Sequence, residues 1–300
     1  MNVTKGFFTI ATGDEHYYRI AANLVQSYKQ HSSSSVPFTL IADRENEYTK
    51  EFDQVILLSQ PKNNYLDKLE VFDHLPYDIN IFIDADCLVY GNIERLFTIF
   101  EECDDFCCFG RVLPLDDTTG WFEYKDIGEL QKKVDYVVGL HGGIYYMRRT
   151  DLCRKVLEDA KEYSLQYEKY HFKGKFQNPG DEPVVALSMA VNHCHPITHD
   201  NTALLCYWEH ENQFDLDISA GRAFCKTLSQ KTDIVHWGTR FTRQLLYQKE
   251  EAALNLMTQG ASKSRINRSN RSYNNKMLCL RVRNFLARAK NKLRRILHKA

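Results

Sequence analysis

Two aspartates, Asp84 and Asp86, close the apolar run "INIFIDADCLVYG" with only Ala85 between them. Carboxylates two residues apart in a turn can point the same way, and hard divalent cations such as Mn²⁺ and Mg²⁺ take oxygen ligands together with substrate phosphates. An acid so placed can also do no more than cap the short helix that "GNIERLF" suggests. A second acidic pair, Asp181 and Glu182, stands beside Pro183 at the head of the apolar helix read from "NPGDEPVVALSMAVNH", where acids commonly serve the helix dipole. His236 ends the apolar run "DIVHW", and Gly142 and Gly143 in "VVGLHGGIYYM" either admit a ligand close to the backbone or form a bulge.

The elements that must position these residues follow from periodicity. "GFFTIATGD" reads as a buried strand emptying into a turn, after which Ile20, Leu24, Val25 and Tyr28 recur at helical spacing until "QHSSSSVP" stops them. "FTLIAD" and "QVILLS" are short strands, so strand, helix, strand predicts an α/β fold with a parallel sheet. "NNYLDKLEVFDHLPYD" reads as a helix ending near Pro76, and Ile79, Ile81, Phe82 and Ile83 as a central strand. The aspartate pair then lies beyond that strand's carboxyl end, where open α/β sheets place ligands. Leu152, Val156, Leu157 and Ala160 mark an amphipathic helix.

Composition narrows the class. With 300 residues and 43% hydrophobic content the chain can bury one large core or two small ones. Nine cysteines at irregular spacing, without a Cys-x-x-Cys repeat, argue against both a disulfide framework and a paired-cysteine zinc site, and the "HCHPITH" cluster has no second half. No apolar run approaches the roughly 20 residues of a bilayer span, and no leader pattern precedes the first strand, so the expected compartment is cytoplasmic. All 39 acids precede residue 252, whereas 13 of the 39 basic residues follow it. An acidic body therefore carries a basic tail. In that tail Leu278, Val282, Phe285, Ala289, Leu293 and Ile296 form one helical stripe among arginines and lysines, a pattern suited to the interface of an anionic membrane. A continuous apolar stripe favours the membrane over nucleic acid, whose binding needs none. Packing of the helix on the acidic body is the bland alternative.

In motif order the sequence resembles the family 8 glycosyltransferases, the glycogenin and bacterial lipopolysaccharide galactosyltransferase group, over about residues 5 to 243. "ATGDEHY" matches the first-strand turn that holds uracil, which implies roles for Ala11, Asp14 and Tyr17. "YLDKLEVF" places Lys68 where the family grips the donor's phosphate side. "IFIDADCLV" matches the metal motif, implying that Asp84 and Asp86 contact metal or ribose, and "IVHWGTR" supplies His236 as third ligand, with Arg240 or Arg243 near the diphosphate. Two positions depart from the pattern: His141 stands in place of an asparagine and Glu182 in place of a glutamine, while Asp181 matches.

The resemblance implies a single GT-A domain, Rossmann-like with a mixed, mostly parallel sheet, over residues 1–255. A flexible polar linker over 256–276 and a basic amphipathic helix over 277–300 are expected to follow. It implies a metal-dependent hexosyltransferase that moves galactose or glucose from a UDP-sugar to a saccharide or lipid-linked saccharide acceptor with retention of configuration. A histidine beside two carboxylates suits Mn²⁺ better than Mg²⁺. Asp181 and Glu182 are the expected reaction-centre acids, and the tail would hold the enzyme at the inner face of the plasma membrane. The rivals are a haloacid dehalogenase phosphatase, which needs its aspartates at the first strand, and a non-catalytic membrane- or nucleic-acid-binding adaptor on a degenerate α/β domain.

Overall fold

Phe7 and Phe8 turn to opposite faces of the first strand and enter different apolar clusters, because successive strand side chains alternate. The computed structural model describes residues 3–33, 35–172 and 180–297. Its strands are β1 (Lys5–Ala11), β2 (Phe38–Ala42), β3 (Gln54–Leu57), β4 (Ile79–Ile83), β5 (Cys87–Val89), β6 (Phe106–Leu113) and β7 (Val137–Arg148). There follow β8 (Ile197–Thr198), β9 (Leu204–Cys206), β10 (Phe214–Asp217), β11 (Arg222–Cys225), β12 (Gln230–Lys231) and β13 (Ile234–His236). The helices are α1 (Glu15–His31), α2 (Leu96–Ile99), α3 (Asp151–Ser164), α4 (Asp181–Val191), α5 (Leu245–Thr258) and α6 (Lys263–Leu297).

Among the described residues seven strands form the central sheet in the order β3-β2-β1-β4-β7-β6-β8. The pairs β3-β2, β2-β1, β1-β4 and β6-β8 are parallel, and β4-β7 and β7-β6 antiparallel. This is the mixed, mostly parallel α/β fold expected. The chain leaves β1 toward β2 and β3, then returns to place β4 on the other side of β1, so the strand order reverses between β1 and β4. Such a switch point opens a crevice beyond the carboxyl ends of the two strands.

Each face of the sheet carries a core. Tyr18, Leu24 and Tyr28 of α1 pack with Phe7, Ile81 and Ile83 on one side, joined by Trp237 and Tyr247 from the later part of the chain. On the other side Phe8, Phe82 and Tyr145 meet Val156 and Leu157 of α3 and Val184, Val185 and Leu187 of α4. Phe122 is fully buried in this second core, and Trp121 donates its indole N–H to the Leu140 carbonyl at 2.9 Å, so these aromatics cover the core.

Two expectations change. The segment read as one helix before β4 forms the short 3-10 turns Tyr65–Glu70 and Phe72–His74. Local bonds compete there: Asn64 caps the Leu66 N–H at 2.9 Å, and Asp67 accepts the N–H groups of Lys62 and Asn63 and the Thr12 hydroxyl. The stretch 256–276, expected as a linker, is helical except around residues 259–262. Gly260 (φ 68°) ends α5 in a left-handed turn, with its N–H on the Met257 carbonyl and that of Ala261 on the Leu256 carbonyl. Ser262 then opens α6, which Ile266 anchors by burial in the first core. One glycine turn and one apolar anchor outweigh the modest helix aversion of the serines and asparagines. Residues 298–300 of the expected tail helix lie outside the described residues.

Candidate active site

The Asp84–Asp86 turn begins where β4 ends. The Asp84 N–H donates to the Gly143 carbonyl at 3.0 Å and the Cys87 N–H to the Asp84 carbonyl at 3.1 Å, which fixes the turn against β7. Asp84 caps no helix: Asn92 accepts the Glu94 N–H at the start of "IERLF" instead. β13 pairs antiparallel with β5, setting His236 opposite Cys87, and the Trp237 N–H donates to the Asp86 carbonyl at 3.0 Å. A strand far along the chain thereby brings His236 to the turn. Its Nε2 lies 2.9 Å from Asp86 Oδ1 and 3.6 Å from Asp84 Oδ2.

Lys68 sits on the other side of the turn, buried, with Nζ 2.9 Å from Asp84 Oδ1, 3.1 Å from Asp181 Oδ2 and 3.4 Å from the Gly142 carbonyl. Its ammonium is thus shared by two carboxylates and a carbonyl rather than left free for a phosphate. Tyr145 also donates to Asp181 Oδ2, at 2.8 Å, so the first acid of α4 points inward to a cation and a phenol. Glu182 accepts the Gly142 N–H on Oε1 at 2.9 Å.

The glycine pair makes this closeness possible. A Cβ on Gly142 would lie 2.7 Å from Glu182 Cγ, and one on Gly143 would lie 2.7 Å from His236 Nδ1. Neither glycine is needed for a left-handed conformation here; both are needed for space.

Charge is balanced inside the cluster. Burial pushes the Asp84 carboxyl up even though Lys68 opposes it, and burial likewise resists ionisation of Asp86, but His236 overcomes this and holds Asp86 below its usual range. His236 is in turn pushed up: burial disfavours its charge and the Asp86 carboxylate more than restores it. Lys68 stays charged because Asp181 and Asp84 outweigh its own desolvation. Burial, reinforced by Asp181, raises Glu182 to about 7.

A cavity of about 250 Å³ opens at the switch point, between the ends of β1 and β4. Thr12, Tyr17, Asn63, Tyr65, Lys68, Asp84, Asp86 and Thr239 contribute to its wall. Thr239 donates to Asp86 Oδ2 at 3.0 Å, and the Tyr17 phenol, raised by burial and by Asp86, faces the same carboxylate.

Of the residues singled out from the sequence, Lys68, Asp84, Asp86, Gly142, Gly143, Asp181, Glu182 and His236 come together, and Tyr17 lines the adjoining cavity. Three lie apart from the cluster. Ala11 is buried in β1, Asp14 caps α1 through the His16 N–H at 2.8 Å, and Arg240 is exposed over the Phe241 ring. Arg243 acts electrostatically on Tyr17. The histidines of "HCHPITH" have separate partners: His193 nears Asp135, His195 pairs with Asp104, and His199 with the Leu204 carbonyl. Sequence reading missed Tyr145 and Thr239, whose roles need the strand pairing to be visible, and Asp67, whose only signal is its place one residue before Lys68.

The oxygen and nitrogen donors can hold a divalent cation. Asp86 Oδ1 is buried with His236 Nε2 beside it at 2.9 Å, so the two atoms are close enough to be ligands of one cation, while His236 Nδ1 is buried without a hydrogen-bond partner among the described residues. Asp86 and His236 also approach Cys87 closely enough to share an ion.

No family model and no curated protein matches the chain. Among solved structures it is similar to the apo form of mouse xyloside xylosyltransferase 1, at 14% identity and a TM-score of 0.46 over 80% of this chain and 99% of that one.

Two outcomes follow from this geometry. Lys68→Met strands two buried carboxylates and is expected to cost about 3–5 kcal/mol, read from the urea midpoint; a loss within ~1 kcal/mol would show that the ammonium does not neutralise them. Glu182 binds its proton more tightly folded than unfolded, so its contribution is full below pH 4.5 and is lost as pH rises through about 7. Glu182→Gln is therefore expected to match the wild type near pH 4.5 and to exceed it in stability above pH 7, by on the order of 3 kcal/mol. A pH-independent difference would contradict the raised carboxyl.

Proposed function

We propose that the protein is a metal-dependent glycosyltransferase that moves a hexose, galactose or glucose, from a UDP-sugar to a saccharide acceptor with retention of configuration. The observation that carries this reading is the convergence of His236 on Asp84 and Asp86, which line a cavity at the sheet's switch point. Nucleotide ligands favour that place in α/β sheets, and an oxygen-rich cation site at its rim suits a diphosphate.

Asp86 and His236, with Asp84, would hold the cation, and a histidine in the set favours Mn²⁺ over Mg²⁺. The bound cation supplies Lewis-acid neutralisation of the charge that develops on the departing diphosphate. Residues of the chain do the rest. Thr239 orients Asp86 by a hydrogen bond to Oδ2, which turns Oδ1 to His236 Nε2. Lys68 offsets the charge of Asp84 and Asp181, so that a diphosphate does not meet an uncompensated cluster of acids. Tyr17 and Tyr65 provide aromatic walls for a nucleobase.

Asp181 is committed to Lys68 and Tyr145 and acts as a positioning residue. Glu182, engaged among the described residues only through Oε1, is the acid that can face the sugar carbon, either as nucleophile or as a charge beside an oxocarbenium-like centre. The phosphatase rival loses ground because its aspartates belong on the first strand, whereas these follow β4. The adaptor reading predicts no nucleotide binding at all.

The reading includes a place at the membrane surface, which the C-terminal helix supports. Leu278, Leu280, Val282 and Leu286 are exposed on α6, in a tail with no acid, and no helix among the described residues is long and apolar enough to cross a membrane. Such a helix suits the surface of an anionic bilayer, near lipid-linked acceptors, at the cytoplasmic side. The side chains of Phe285, Ala289, Leu293 and Ile296 lie outside the described residues.

Calorimetric titration with UDP, GDP and CDP, with Mn²⁺ and with chelator, tests the donor. UDP binding that requires Mn²⁺ and disappears in Asp86→Ala is expected, whereas absence of any nucleotide binding would move the adaptor reading forward. Truncation after Lys276, which spares the Ile266 anchor, is expected to release the protein from vesicles of anionic lipid while UDP binding persists; undiminished vesicle binding would remove the tail from the account.

A further inference from the structure

His236 presents its second ring nitrogen away from the carboxylates, toward a group of soft donors. β9 pairs parallel with β13 and sets Cys206 beside His236, while β7 brings His141 over the same spot. One donor atom each from His141, Cys206 and His236 lies within 4.8 Å of the other two. Cys206 is 2% exposed and His236 8%, and His236 Nδ1 has no hydrogen-bond partner among the described residues. A Cβ on Gly143 would lie 2.7 Å from that Nδ1 and 2.8 Å from His141 Cε1, so both rings close over a bare Cα. Trp208 stacks on His141, with centroids 6.1 Å apart and planes at 8°, and closes one side.

The geometry points to a second metal site, formed by His141, Cys206 and His236, for a thiophilic divalent cation of the Zn²⁺ class. One thiolate and two imidazoles are the donors such an ion prefers, and three protein ligands leave a fourth position for water. His141 Nε2 lies 2.6 Å from Cys206 Sγ, and its Nδ1 accepts the Gly143 N–H at 3.2 Å. Coordination through Nε2 shifts the ring proton to Nδ1 at the expense of that long bond, and the thiol proton leaves to solvent. The site is not the oxygen-rich one at the aspartate turn, but the two share a ring. A neutral imidazole offers a single lone pair, so a cation that takes His236 at one site withdraws it from the other. A soft cation is thereby a competitor of the hard one.

The inference shares His236 with the proposed transferase site and none of its chemistry, so failure of nucleotide or Mn²⁺ binding leaves it standing. The test is titration of the full chain with Co²⁺, after Cys279→Ser removes the exposed thiol on α6. A thiolate-to-cobalt charge-transfer band saturating at one equivalent is expected, lost in Cys206→Ser and in His141→Ala, retained in Asp86→Ala, and displaced by Zn²⁺. Mn²⁺ affinity, followed by paramagnetic resonance, is expected to fall at least about tenfold with one equivalent of Zn²⁺, and not to fall in Cys206→Ser. No charge-transfer band, or one that survives Cys206→Ser in folded protein, overturns the site.

Discussion

The buried ammonium of Lys68 is the contact on which the site depends. It joins three parts of the chain: the turn after β4 through Asp84, the glycine pair of β7 through the Gly142 carbonyl, and the head of α4 through Asp181. Each buried carboxylate would be costly alone, and a cation placed between them makes both tolerable. The aromatic rings of Phe82 and Tyr145, whose centroids lie 5.1 Å and 5.8 Å from Nζ, add an electrostatic seat beneath it. Because Lys68 rides on a 3-10 turn held by Asp67 and Thr12, the position of the charge is set by the end of β1, and the cavity and the acids share one frame.

A second constraint is steric. His236, Glu182 and His141 crowd the backbone of β7 at Gly142 and Gly143, and side chains there would have to displace them. The same pair thus serves both neighbours of the strand, the carboxylates on one side and the histidines on the other. Pairing of β13 with both β5 and β9 then fixes His236 between an oxygen-rich edge and a sulfur- and nitrogen-rich one. One imidazole at such a boundary would link the two proposed cation sites.

The two acids of α4 divide along this frame. Asp181 has its charge matched by Lys68 and a phenol, and its part is to hold the helix against the strand. Glu182 has one backbone N–H and an acidic neighbour, so burial leaves its proton poised near neutrality. A glutamine at this position would carry no such proton and could not answer to pH there.

The sequence by itself determined what short-range pattern can encode. Alternation and apolar runs identified β1, β2, β3 and β4, the Asp84–Asp86 turn at a strand end, and α4 with its acids in the first turn, because these depend on neighbours a few residues apart. The motif order also singled out Lys68 and His236, although nothing local says what either touches. Tertiary structure alone decided that Asp14 caps a helix, that Arg240 lies out on Phe241, that Lys68 shares its charge between two acids, and that residues 263–276 are helical, with Ile266 buried in the core. The order of strands around β1, and with it the crevice, is likewise invisible locally. Register between strands thirty residues apart places Cys206 and His236 side by side, and no periodicity in either segment carries that information.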